Sequence, residues 1–141
     1  MSESGQTTEM NLFALTLLRD RLLPELLQDD ESEIIYWAGK ALARDVDLTG
    51  VMALETFFMD AGFGFLTLTS KKPTEQVWRL DGPVVSTRFD ENNHASFALE
   101  AGFLAQQTQQ QLGTGAEAQW EANKQTVVIT VMTENPGTLQ P

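Results

Sequence analysis

The 141-residue chain has no cysteine. That removes disulfides, thiolate nucleophiles, thiolate metal sites and S-acylation together. Histidine is almost as scarce, since His94 stands alone in a polar loop. Cations are few: 9 Lys+Arg against 20 Asp+Glu, a formal net charge of −11. Binding nucleic acid takes clustered Lys and Arg to neutralise phosphates, and the longest basic run is Lys71-Lys72. An anionic membrane surface is disfavoured for the same reason. There is no apolar run of membrane-spanning length and no basic segment leading into an apolar one. The expectation is a cytoplasmic protein with no nucleic-acid partner and no membrane insertion. Nucleophile elbow, Walker loop, dinucleotide glycine pattern and HExxH are all absent from the sequence. The chain is therefore expected not to be an enzyme, with no catalytic residue, metal or cofactor assigned.

What is present suffices for one core: 42% hydrophobic residues, with eight Phe and three Trp. Residues 1–9 are polar and small, and 134–141 (ENPGTLQP) hold two prolines and a glycine. Both ends read as disordered tails around a single domain, 10–133.

Helical spacing opens the domain. Leu12, Leu15, Leu18, Leu22 and Leu26 recur at three- and four-residue steps, interrupted by Pro24. This predicts either a kinked helix or one ending near Leu23. Asp30 and Glu33 have capping-box spacing ahead of a second helix, 31–45. Its expected core face is Ile34, Ala38, Ala41 and Leu42, widened by Ile35 and Trp37. A third helix, 49–61, turns Val51, Leu54, Phe57, Phe58 and Ala61 inward, capped by Asp47 or Thr49 and stopped at Gly62. The period then drops to two over 63–69 and 76–80, which predicts a hairpin. Segment 84–89 reads as a short strand or extended loop. Another helix, 95–112, precedes a second hairpin, 116–122 and 125–132, turning at Asn123-Lys124. Segregated helices and hairpins predict an α+β fold: an antiparallel sheet of two hairpins, N-terminal helices, and one central helix crossing the sheet.

That central helix carries the sharpest residues. Its first half is apolar on more than one face, yet it contains Glu100 and Gly102. A buried carboxylate must be paired, hydrogen-bonded or neutral. The expected partners are Tyr36 and Lys40, four apart on one edge of the second helix. Gly39 and Gly102 lie inside helices, where glycine costs about 1 kcal/mol relative to alanine. The expectation is that two helices cross closely there. The run from Gln106 to Gln111 reads as a solvated helix end or, alternatively, a dimer interface.

The segments Glu25–Leu27, Asp30–Lys40, Phe97–Ala105 and Gly115–Ala118 resemble the YslB family of small uncharacterised bacterial proteins. The blocks Tyr36–Lys40 and Glu100–Leu104 carry most of the specificity. The element order also resembles four-vinyl-reductase-type ligand-binding domains, the TRAPP vesicle-tethering subunits and the haem nitric-oxide sensors. These resemblances imply a ligand-binding fold. The chain lacks the cysteine of acylated TRAPP subunits, and its lone His94 precedes the central helix, where the haem sensors use a proximal histidine on a helix.

The resulting expectation is a non-catalytic binding or regulatory module that forms a homodimer. It would hold an apolar small molecule near the central helix, lined by Tyr36, Trp37, Lys40, Phe57, Glu100 and Phe103. The alternative is a protein–protein interaction module with an unknown protein partner. An internal void lined by those six residues favours the first reading, and dense packing favours the second.

Overall fold

The computed structural model describes residues 11–141. The N-terminal helix runs as α1 (Leu12–Leu17), a π-helical turn (Leu18–Leu22) and α2 (Leu23–Leu27). The π turn solves the problem set by Pro24. Leu23 N–H reaches back to the carbonyl of Leu18, and Pro24 has no N–H to offer the carbonyl of Asp20. Asn92 Nδ2 donates to that carbonyl instead, at 3.2 Å. The helix therefore passes through Pro24 instead of stopping at Leu23, with one extra residue inserted into the turn.

A 3-10 turn (Gln28–Asp30) leads into α3 (Glu31–Arg44). Asp30 occupies the N-cap position, but its side chain makes no capping bond. Next come α4 (Val51–Asp60), β1 (Phe65–Lys72) and β2 (Glu75–Asp81). The N-cap of α4 is Gly50, not Asp47 or Thr49, and Gly62 has positive φ at its end as expected. The chain continues with α5 (Pro83–Glu91), α6 (Ala98–Leu112), β3 (Ala116–Asn123) and β4 (Thr126–Thr133). The segment expected to be a strand or loop at 84–89 is thus helical. Gly82 at φ 103° precedes Pro83, whose fixed φ suits the first helical position. In the second hairpin the positive φ falls on Lys124, not Asn123.

The four strands form one antiparallel sheet in the order β1-β2-β4-β3. This is the α+β arrangement expected, with two hairpins side by side and α6 across one face. Trp78 and Leu80 of β2 pair in register with Ile129 and Val127 of β4. All four are fully buried, as is the run from Ala98 to Phe103 of α6 apart from Leu99.

Two helical faces differ from the pattern-based reading. The inward residues of α3 are Ile35, Gly39, Lys40 and Ala43, while Ile34, Trp37, Ala38, Ala41 and Leu42 lie exposed. The reason is the helix crossing. A Cβ at Gly39 would collide with the carbonyl of Leu99, and one at Gly102 with the carbonyl of Tyr36. The face that carries Gly39 must turn inward for these backbones to meet, and the face of Ile34, Trp37 and Leu42 turns out. On the N-terminal helix, Leu18, Leu22 and Leu26 are likewise exposed, and Thr16, Arg19 and Asp20 are buried.

The ends also bear on domain limits. Residues 1–9 lie outside the described residues. Segment 134–141 is a strap, not a free tail: Leu139 is buried. The oxygens of Gln140 and Pro141 accept from the N–H groups of Val51 and Met52, at 2.8 and 2.9 Å. Those are N–H groups at the start of α4, which need partners from outside the helix.

Candidate functional site

The chemistry of the molecule concentrates where the N-terminal helix, α5 and the start of α6 meet. Arg19 donates through Nη2 to both carboxylate oxygens of Glu100, at 2.9 and 3.0 Å. Arg88 of α5 grips Asp20 with Nε (3.0 Å to Oδ2) and Nη2 (2.9 Å to Oδ1). Its Nη1 lies 3.5 Å from Glu100 Oε2, and its Nη2 also donates to the carbonyl of Ser96 at 2.7 Å. All four side chains are buried. The guanidinium of Arg88 stacks 4.2 Å from the Phe97 ring centroid, and that of Arg19 lies 5.9 Å from Phe63. Two positive and two negative groups balance, so the cluster is neutral and internally satisfied.

Glu31, at the start of α3, faces this cluster. Burial raises its carboxyl above the ordinary value, and the Asp20 charge adds to the rise against the opposing pull of Arg88 and Arg19.

A second junction ties α3 to the sheet. Tyr36 donates its hydroxyl hydrogen to Glu117 Oε1 at 2.6 Å and accepts from the backbone N–H of Ala118 at 3.0 Å. It thereby occupies an unpaired donor on the outer edge of β3. Lys40 Nζ donates to Glu117 Oε2 at 2.9 Å. Burial pushes the Tyr36 hydroxyl well above the usual phenol range, and the bond to Glu117 adds to it. Burial works against the charge on Glu117, but donation from Lys40 and Tyr36 outweighs it and holds that carboxyl below its usual value.

The six candidate residues therefore fall into separate places. Glu100 is paired with Arg19 and Arg88, not with Tyr36 or Lys40. Phe57 stacks on Phe103 with centroids 4.6 Å apart, inside a cluster with Phe58 and Phe63. Phe103 and Glu100 are fully buried, and Phe57 is packed against the Phe103 ring. Lys40 is buried beneath Trp37, its Nζ 4.8 Å from the ring centroid. Tyr36 borders an open groove of about 480 Å³, shared with Ser32, Ala98, Trp120 and Met132. Gln76 is buried on the sheet face with no partner for its amide.

Part of the glutamine run is structural. Gln107 Nε2 donates to the carbonyls of Ala43 and Val46 at 3.0 and 2.8 Å. Gln111 Oε1 accepts from the N–H of Gly50 at 3.0 Å. Gln107 and Gln111 thus serve the end of α3 and the start of α4, while Gln109 and Gln110 are exposed, as expected of a solvated helix end.

The N-terminal helix also exposes a line of apolar side chains. Phe13 (71% exposed), Leu17, Leu18, Leu22 and Leu26 (66%) run along the outside of the N-terminal helix. Phe13, Leu17, Leu22 and Leu26 step by four, five and four, and the five-residue step spans the π turn. The inserted residue keeps them on one line. On the next helix Ile34, Trp37 (52%) and Leu42 are exposed in turn.

Sequence reasoning missed Arg19, Asp20, Arg88 and Glu117 as partners. Arg19-Asp20-Arg21 inside a leucine stripe was a visible signal, because a charged triplet there must put at least one charge inward.

The fold and these junctions define a small α+β domain held by internal ion pairs. The chain belongs to the family of proteins of unknown function DUF2507, whose pattern matches residues 12–132. It is 41% identical over 125 residues to the uncharacterized protein YslB of Bacillus subtilis (strain 168), covering 87% of this chain and 84% of that protein. The fold is similar to that of a vinyl-4-reductase family protein from Methanocaldococcus jannaschii. That match has a TM-score of 0.53 and 18% identity, over 88% of this chain and 78% of the other. At that identity the likeness concerns the fold alone. Among the described residues no helix is long and apolar enough to cross a membrane.

Proposed function

We propose that the chain is a non-catalytic cytoplasmic binding module that works by protein contact through the outer face of the N-terminal helix and α3. The observation that carries this is the apolar stripe from Phe13 to Leu26, followed along the chain by exposed Ile34 and Trp37 on the next helix. Exposed apolar residues scattered singly are ordinary, but a contiguous stripe on amphipathic helices marks a contact surface. The non-catalytic part has separate support. Each buried charged side chain among the described residues, Arg19, Asp20, Lys40, Arg88 and Glu100, has an opposite charge as its partner. General acid–base work needs a titratable group free to reach a substrate in a cleft, and Tyr36 and Glu117, which border the groove, are bonded to each other and, through Glu117, to Lys40.

A photo-crosslinking amino acid placed at Leu26 in cells tests the reading, with Met52 as an equally exposed control. Discrete adducts from position 26 and not from 52 are expected. An absence of adducts at 26 discards it.

A second reading has its own observation. The groove beside Tyr36 has a volume within the range of small-molecule sites and the apolar walls Ala98, Trp120 and Met132. It supports an apolar small ligand there, between α3, the start of α6 and the edge of β3. Native mass spectrometry of the purified chain is the check. A stoichiometric small molecule lost on Trp120→Ala favours this reading, and a bare mass counts against it.

A further inference from the structure

We infer that the apolar face of the N-terminal helix and α3 is covered by a second copy of this chain, in a two-fold symmetric dimer. The inference rests on the protein-contact reading and names its partner.

The first argument is area. Phe13, Leu17, Leu18, Leu22, Leu26, Ile34, Trp37 and Leu42 are each between two-fifths and three-quarters exposed. Together they expose on the order of 800 Å², about what each partner contributes to an interface of standard size. A smaller patch would suit only a transient contact.

The second argument is charge. The chain as a whole carries 20 acidic against 9 basic residues, so two copies repel over most of their surfaces. Along these two helices the exposed charges beside the stripes are Arg21 and Arg44 against Glu25 and Glu33. Asp29 and Asp30 sit at the turn between the helices, and Asp45 beyond the end of α3. Along the sides of the stripes the signs balance two against two, and the acidic excess of these helices, Asp29, Asp30 and Asp45, lies at their ends. A face that is apolar at its centre and balanced at its sides matches a copy of itself, the condition for an isologous two-fold interface. A basic partner would select an acidic face, and the rest of the molecule offers that more strongly.

The third argument is readiness. Trp37 is half exposed, yet it is held in place. Lys40 Nζ lies 4.8 Å from its ring centroid, and Tyr36 meets it edge-on at 6.2 Å and 79°. The Lys40–Glu117 ion pair fixes the cation in turn. An indole already ordered on the surface loses little freedom on association, which is the property of an interface anchor.

Sedimentation velocity of the full chain across the micromolar range is the test. The wild type is expected to be dimeric. Leu26→Glu and Leu22→Glu should each raise the dimer dissociation constant by roughly thirtyfold or more. Met52→Glu, on the exposed side of α4, should leave it unchanged. Leu26 lies two-thirds in solvent, so its substitution should leave the circular-dichroism melt of the monomer intact. A monomeric wild type overturns the inference. So does a dimer that neither stripe variant weakens. A monomer that still crosslinks another protein from position 26 overturns only the second copy, whereas no contact there removes the wider reading as well.

Discussion

Glu100 stands fully buried, where an ionised carboxylate is least favourable, and two guanidinium groups offset the lost hydration. Replacing well-packed charge pairs by apolar groups is often harmless, but removing one member leaves the others uncompensated, at about 3–5 kcal/mol. Glu100→Ala strands Arg19 outright and Arg88 in part. Urea unfolding followed by tryptophan fluorescence should show a loss of that order, and a loss below about 1 kcal/mol would mean the cluster is hydrated. Glu31 behaves in the opposite sense. Its carboxyl is raised in the folded state, so the folded chain holds that proton to higher pH than the unfolded chain. The penalty is absent below the ordinary carboxylate value and complete above the raised one. Glu31→Gln should therefore melt higher than wild type at neutral pH, with the gain fading in acid; a gain that persists below pH ~4 would place its origin elsewhere. Burial of Glu100 was legible from its apolar neighbours. Its partners were not: Arg88 lies 12 residues away and Arg19 81, and spacing alone does not choose them over Tyr36 and Lys40. Those two, on the second helix, turn instead to Glu117 at the edge of β3.

At the level of elements, the α3–α6 crossing sets two rules against each other. Intrinsic propensity says Gly102→Ala should stabilise α6 by about 1 kcal/mol. The crossing says the methyl group meets the carbonyl of Tyr36, an overpacking cost of roughly 1–3 kcal/mol or more. The second is larger, so Gly102→Ala should lower the melting temperature, and an increase would show that the helices are free to separate. The C-terminal strap gives a parallel case. Deleting Thr138–Pro141 exposes the site of Leu139 and frees two N–H groups of α4, a loss of roughly 2–4 kcal/mol. Thermal melts of the shortened chain check it, and an unchanged melt would make the strap dispensable. Both glycines were legible as a crossing, since nothing else explains glycine in two good helices. The strap was not, because proline- and glycine-rich composition describes a chain that forms no helix or strand, not one that lacks contacts. The helix at Pro83–Glu91 was hidden for a related reason. Val84 and Val85 suggest a strand, while its two deciding features are the Gly82 turn and the anchoring of Arg88 on Asp20.

Across the whole molecule, the layer order and sheet were readable because period-two and period-3.6 segments alternate cleanly. Which side of α3 faces the core was not. Ile34, Trp37, Ala38, Ala41 and Leu42 form the apolar side by pattern, and the pattern is real, but it records burial without saying by what. In the isolated chain the crossing glycines claim the inside and leave that stripe in solvent. Leu18, Leu22 and Leu26 repeat the situation on the preceding helix, so the same discrepancy arises twice on neighbouring elements. A covering surface from another copy removes both at once. The net charge of −11 then dictates how such a dimer responds to salt. Repulsion between two acidic bodies acts over distances comparable with the Debye length and is screened as ionic strength rises, while burial of the leucine and tryptophan stripe is not weakened by that screening. Dimer affinity should accordingly increase from low to moderate sodium chloride, and the stripe variants should stay monomeric throughout. Sedimentation at several salt concentrations measures this directly. An affinity that falls with salt would show that attraction between opposite charges, and not the apolar stripe, holds the two copies together.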